Sequence, residues 1–293
     1  MLSPKEVSTL IAKARREVFI HAVAEAAGCE CRGYPLAAFQ ARGDPGIAIG
    51  EPVPWGFIKA WNARVAGAEM QDRTRAWLYE RFPHLHAVYN DLLWAALNPE
   101  RSGNDIDAYV QRIRLNGAPL PSFPDEAFCT LCGGAHWQYL GYLLMIVRSR
   151  SHRFIFLRLK LQKQFSSYFV QSCLRSPFSS VANMLYQLLD ELWQSCPLCQ
   201  PCSWPASEAD FNRHLSFYQR LASILIDQGW VSEWGEHCLM WMAYLDCAHN
   251  REQFEQICAA ASSSSRLSAP RRLARSVQQA VGLQQQLQVS LTT

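Results

Sequence analysis

The sequence predicts a mainly α-helical protein with a cysteine-bearing module set between its helical segments. Three observations carry that reading. Apolar residues recur at steps of three and four along most of the chain, helix-capping pairs stand at the ends of those runs, and two short segments hold cysteines two residues apart. The 293 residues are 49% hydrophobic, 12% aromatic and only 18% charged, so the chain can bury a core of its own and disorder is excluded as its dominant state.

The spacing predicts a first helix over residues 3–28, with Ser3 as N-cap, Glu6 three residues on, Pro4 in the first turn and Gly28 as its stop. Recurrent Gly and Pro between Gly33 and Gly56 predict an ordered loop, held down by Phe39, Ile47, Ile49 and Trp55. Helices are expected again over 57–66, 71–81 and 85–97, and Asn104 with Asp107 is expected to cap another that Asn116-Gly117 ends. Residues 118–128 contain Pro119, Pro121 and Pro124 and mark a boundary, so 1–120 reads as an N-terminal helical domain.

Residues 121–205 read as the cysteine module. Within it, Trp137 to Leu161 supports two structures: a small β-hairpin turning at Ser149 to His152, because apolar residues alternate from Phe154 to Leu161, or a long basic helix. From Phe178 the apolar steps of three and four lead a helix into the second cysteine cluster. Ser207 with Asp210 opens a helix that places Phe211, Leu215, Tyr218, Ala222 and Leu225 on one face, and Gly229 stops it. A helix from Ser232 to Asn250 and another to about Ala261 complete a C-terminal helical segment, 206–261. Residues 262–293, with a serine run and Gln284 to Gln286, are expected to form a mobile tail.

Charge is segregated along the chain. Between Ala127 and Leu189 there is no acid, against Arg148, Arg150, Arg153, Arg158, Lys160, Lys163 and Arg175, and residues 259–293 carry Arg266, Arg271, Arg272 and Arg275 with no acid. An overall charge of +3 therefore hides an acidic remainder, a pattern suited to a polyanion or an acidic partner. The first twenty residues mix charges among apolar positions without the features of a secretory signal, and the longest apolar run, Tyr139 to Val147, is too short to span a bilayer. A cytoplasmic location and no membrane partner are expected.

In that compartment eleven cysteines are better explained as metal ligands and buried small side chains than as disulfides. Cys129 and Cys132 stand in CTLCGG, and Cys196, Cys199 and Cys202 in CPLCQPC. Two intervening residues let both thiolates of a pair reach one ion, so the two pairs predict one structural Zn2+ per chain, held by Cys129, Cys132, Cys196 and Cys199. The 63-residue interval between the pairs must then be a folded excursion. Five buried core cysteines, an iron–sulfur centre drawing on Cys196, Cys199 and Cys202, and replacement of a thiolate by His136 stay open as alternatives. Cys29, Cys31, Cys238 and Cys247 are expected to be structural, and no partner is identifiable for His84 and His86.

The wording at the two pairs, CTLCGG at 129–134 and CPLCQP at 196–201, resembles the zinc-binding subunit of the bacterial flagellar master transcription activator. The resemblance implies a DNA-binding, transcription-regulating protein that works in a hetero-oligomer with a second helical subunit, and it carries the zinc-ligand role to the same four cysteines.

Two functional classes follow. The first is a zinc-stabilised, nucleic-acid-associated regulatory or accessory protein in a multi-subunit complex, which grips phosphates through Arg148, Arg150, Arg153, Arg158, Lys160 and Lys163, with aromatics such as Phe156 available to unpaired bases. The second is a non-enzymatic interaction or assembly subunit with a structural zinc, suggested by Trp230, Trp234, Trp241, Met240 and Met242. An enzyme is not expected, since no phosphate-cradling glycine loop, H-E-x-x-H or G-x-S-x-G occurs.

Overall fold

A computed structural model describes residues 2–291 apart from 45, 49, 247–249 and 264–266, with the backbone alone at 251 and 260–263. Cys247 and His249 lie outside the described residues. The chain is mainly α-helical. Helix α1 (Pro4–Ala26) begins with the expected capping box, Ser3 and Glu6 each satisfying the other's amide, and Gly28 leaves it at φ +62°. Where a loop is expected, residues Gly33–Arg42 form α2, with Pro35 in its first turn. A Cβ on Gly33 would lie 2.9 Å from the backbone nitrogen of Asn62, so α2 and α3 (Trp55–Val65) cross at backbone contact.

Helix α4 (Asp72–Arg81) follows, and the expected 85–97 helix is two, α5 (His84–Tyr89) and α6 (Leu92–Ala96). The break lies at Asp91, whose carboxylate accepts from the Leu93 amide and starts α6 afresh. Helix α7 (Gly103–Arg112) is capped by Ser102 with Asp105, two residues before the expected pair. Asn116 and Gly117, both at positive φ, then turn β1 (Ile113–Leu115) into β2 (Ala118–Pro119), the geometry Asn-Gly favours in a two-residue hairpin.

The interval between the cysteine pairs is helical throughout its main elements. Helix α8 (Glu126–Gly133) carries the first pair, α9 (Leu140–Arg148) is the most deeply buried element, and α10 (Ile155–Ser172) follows a tight turn. The hairpin alternative for Trp137 to Leu161 is thereby corrected: a turn does stand at 149–152, but it joins two helices. Phe154, Leu157, Leu161 and Phe165 lie inside at helical spacing, leaving Ile155, Phe156 and Leu159 outside, and that set reads as alternation in sequence. On α9, Leu143 to Val147 are wholly buried, and a Cβ at Gly141 would come within 2.4 Å of the Leu93 nitrogen, so α9 and α6 touch through their backbones.

Helix α11 (Ala182–Ser195) leads into the second cysteine cluster, and α12 (Glu208–Asp227) opens at Ser207 and Asp210 as expected. Helices α13 (Glu236–Leu245), α14 (Arg251–Ser263) and α15 (Arg271–Gln286) and a strand β3 (Val289–Leu291) complete the chain. The segment read as a mobile tail thus holds a helix and a strand. β3 pairs antiparallel with β1, Ile113 opposite Leu291 and Leu115 opposite Val289, giving a sheet ordered β2-β1-β3. One continuous core runs from Val7 to Leu287, and the stretch 118–128 lies on its surface, with Leu120 and Phe128 buried in it. Among the described residues no helix is long and apolar enough to cross a membrane.

Candidate nucleic-acid interface

The basic excursion is built around the turn between α9 and α10. Asp107 on α7 holds it: one carboxylate oxygen accepts from the Ser149 hydroxyl at 2.6 Å and from the amides of Arg150 and Ser151 at 2.9 and 3.3 Å. This fixes where α10 starts and what its first turns present. Positions 156, 159, 160 and 163 share a helix face, and there Phe156 and Leu159 are 47% and 49% exposed beside Lys160 and Lys163. Phe123, 62% exposed, stacks on Phe156 with ring centroids 4.5 Å apart and planes 23° from parallel.

The six expected phosphate contacts do not form one set. Arg148 is buried, and its guanidinium donates to the carbonyls of Ala96, Asn98 and Arg101 at 2.5, 2.9 and 3.4 Å. It satisfies the carbonyl end of α6 and is closed to a ligand. Arg158 turns the other way round α10 and donates to the Ser151 carbonyl at 2.7 Å. Arg150, Arg153 and Lys163 are exposed and Lys160 is half-buried. Arg153 keeps one bond, to the Leu120 carbonyl. Among the described residues no carboxylate lies within ion-pair distance of these four. Arg271, Arg272 and Arg275 are exposed on α15.

The four sulfurs expected at one zinc ion are likewise divided. Cys129 and Cys132 sit on α8 against one side of α10, where Lys160 Nζ lies 3.2 Å from Cys129 Sγ. Cys196 and Cys199 lie on the other side, where Gln162 donates to the Leu198 carbonyl and its own carbonyl accepts from the Cys202 amide. Residues 160 and 162 are about 200° apart around a helix, so α10 stands between the pairs. Among the described residues no three His, Cys, Asp or Glu side chains are grouped to hold a metal ion. As placed, the thiols do not fit a single tetrahedron or an iron–sulfur centre. His136 instead faces Glu236, with Nε2 3.4 Å from Oε1.

Each pair has cations beside it. Burial pushes the Cys132 thiol far up and Lys160 pulls it back. Burial and then the neighbouring Cys196 raise Cys199, against the pull of Arg148, Arg158 and Arg150. The stretch after Cys202 is fixed by rings. Trp204 stacks on Phe169 and Tyr186, whose rings also stack on Phe211, and Tyr186 donates to the Pro205 carbonyl.

Phe123 is a site residue that the sequence does not single out. Its only signal is an aromatic in a proline-rich stretch, and it meets Phe156 through tertiary packing alone. The Trp and Met residues of the C-terminal segment are mostly core: Trp230, Trp241, Met240 and Met242 are buried, and Trp234 is half-buried against that core. Comparison with known proteins returns no match, whether to a family model, to a curated protein or to a solved structure.

Proposed function

We propose that this chain is a nucleic-acid-associated accessory or regulatory protein that binds single-stranded segments along the first half of α10. The observation that carries the reading is the exposed Phe123–Phe156 ring pair on the side of α10 that carries Arg153, Lys160 and Lys163, none of which has a carboxylate at ion-pair distance among the described residues. Exposed aromatics cost solvation that a stacked base recovers, and guanidinium and ammonium groups that lack a carboxylate partner exchange counterions for phosphates. Single strands suit this surface better than duplex, because a ring can reach a base only where the base is unstacked.

A second reading, a protein-interaction subunit, draws on Leu198, 94% exposed, and on Ile155 and Leu159 on the outer side of α10. Binding of fluorescent oligothymidylate, with a duplex of equal length as comparator, decides between them. Preference for the single strand, lost in Phe156→Ala, supports the first. Absence of binding to either at low salt leaves the second.

A further inference from the structure

A separate cavity of about 260 Å³ lies where α1, α5, α13 and α15 converge on the loops that follow α8 and α10. This is just below the ~300–1,000 Å³ typical of small-molecule sites, so its occupant is no larger than a small metabolite. Its body is apolar, with Ala22, Val88, Trp137, Leu239, Met240 and Val281 in the wall. Its ionisable groups are Arg175 after α10, Glu25 on α1, His84 on α5, and Glu236 on α13 opposite His136. Arg175 is half-buried and has no carboxylate at ion-pair distance among the described residues.

The walls are held in place. The Tyr168 hydroxyl donates to the His136 carbonyl at 2.7 Å and accepts from the His136 amide at 3.1 Å, which pins the loop carrying His136 and Trp137. Trp137 packs edge-on against Phe178. Gln284 donates to the Gly134 carbonyl at 3.2 Å and so ties α15 across the site. His136 turns Nε2 toward Glu236, and its buried Nδ1 has no hydrogen-bond partner. Among the described residues the wall therefore contains one guanidinium without a carboxylate partner, two carboxylates, the imidazole of His84 and the unused ring nitrogen of His136 around a largely apolar chamber.

The geometry points to a binding site for a small zwitterion with an apolar side chain, an α-amino acid in chemical class. Its carboxylate would meet Arg175, for which the guanidinium fork is suited. Its ammonium would meet the carboxylates at the mouth, Glu236 with His136 and Glu25. Its side chain would fill the space beside Trp137, Met240 and Val281. A plain carboxylic acid would leave two like charges facing it, and a plain amine would leave the guanidinium unused. This site shares no residue with the α10 surface, so it stands or falls independently of the nucleic-acid reading.

Calorimetry on the full chain with L-phenylalanine, and with its two halves 3-phenylpropanoate and 2-phenylethylamine, tests the assignment. Phenylalanine is expected to bind at least about tenfold more tightly than either half, since each half leaves a charged wall group unpaired. Arg175→Ala should bring phenylalanine down to the affinity of 2-phenylethylamine without altering that amine's own binding. Should the variant fail to fold, NMR contacts from the phenylalanine ring to the Met240 and Val281 methyl groups in the parent protein carry the same information. Equal binding of either half, full affinity in Arg175→Ala, ring contacts elsewhere on the protein, or no binding of phenylalanine, leucine and methionine at millimolar concentration would each overturn it.

Discussion

Salt dependence gives the sharpest test of the α10 surface, because the number of available cations can be counted. Of the six basic residues between 148 and 163, Arg148 is committed to three carbonyls, and Arg150 and Arg158 lie toward Cys199 on the far side of the helix. That leaves Arg153, Lys160 and Lys163. For a single strand each neutralised phosphate contributes a slope of about −0.7, so log K against log salt should fall with a slope of about −2. Removing Lys160 and Lys163 together, as alanines, should flatten it to about −0.7. Phe156→Ala should act differently, losing ~1–3 kcal/mol at every salt concentration with the slope unchanged, since stacking releases no counterions. Arg148→Met should leave the slope intact while costing about 3 kcal/mol of stability through the carbonyls it strands. Fluorescence anisotropy over a decade of KCl measures all four proteins. A slope that ignores the two lysines, or that drops in a folded Arg148→Met protein, would refute the assignment of contacts.

Other expected outcomes follow from the packing. Gly141→Ala should destabilise by roughly 1–3 kcal/mol in urea titration, because the added Cβ meets the backbone of α6 and neither helix can yield locally. Burial pushes the Asp91 carboxyl up to about 7, against the pull of the Leu93 amide. An unfolded aspartate titrates near ~3.9, so the contribution of Asp91 to stability is complete below that pH and is lost as pH rises toward about 7. Asn keeps the cap and removes the titration, so Asp91→Asn should gain on the parent by ~2–4 kcal/mol between those limits, and a constant difference across the range would contradict the burial argument. Finally, with α10 between the cysteine pairs, Cys132→Ser and Cys199→Ser should shift stability additively to within about 0.5 kcal/mol. A large coupling energy, with zinc lost in both single variants by elemental analysis, would mean that the four thiols meet after all.

What could be read from the sequence was what neighbouring residues decide among themselves. Ser3 with Glu6, Ser207 with Asp210, and the stops at Gly28 and Gly229 all act within four residues, and the helices stand where they place them. Helix α2 escaped because Gly33 and Pro35 look like loop residues, although the first turn of a helix tolerates both and Gly33 is demanded by the crossing with α3. Helix α15 escaped because its buried residues, Leu273 and Val277, are few among glutamines and arginines, and its cover comes from α8 and α13, far away in sequence. The cysteine spacings carry information about two local turns and none about what stands between them. For the same reason the basic run could be counted in sequence while its division into Arg148 inside and Lys163 outside could not.

The pairing of β3 with β1 ties Val289 to Leu115, and α15 just before it lays Val281 and Gln284 over the cavity. During synthesis, then, everything up to Leu245 can emerge and begin to collapse while one strand edge stays unpaired and one wall of the chamber is missing. Closing a contact across so many residues is slow and comes late. The cavity therefore closes only once α15 has joined α1 and α13, and a small molecule that binds there can lock the assembled helices but cannot guide the chain before α15 is made. Any nascent chain halted before residue 271 would leave the Ile113–Leu115 edge open to another strand, which is where aggregation of stalled or proteolysed forms should begin.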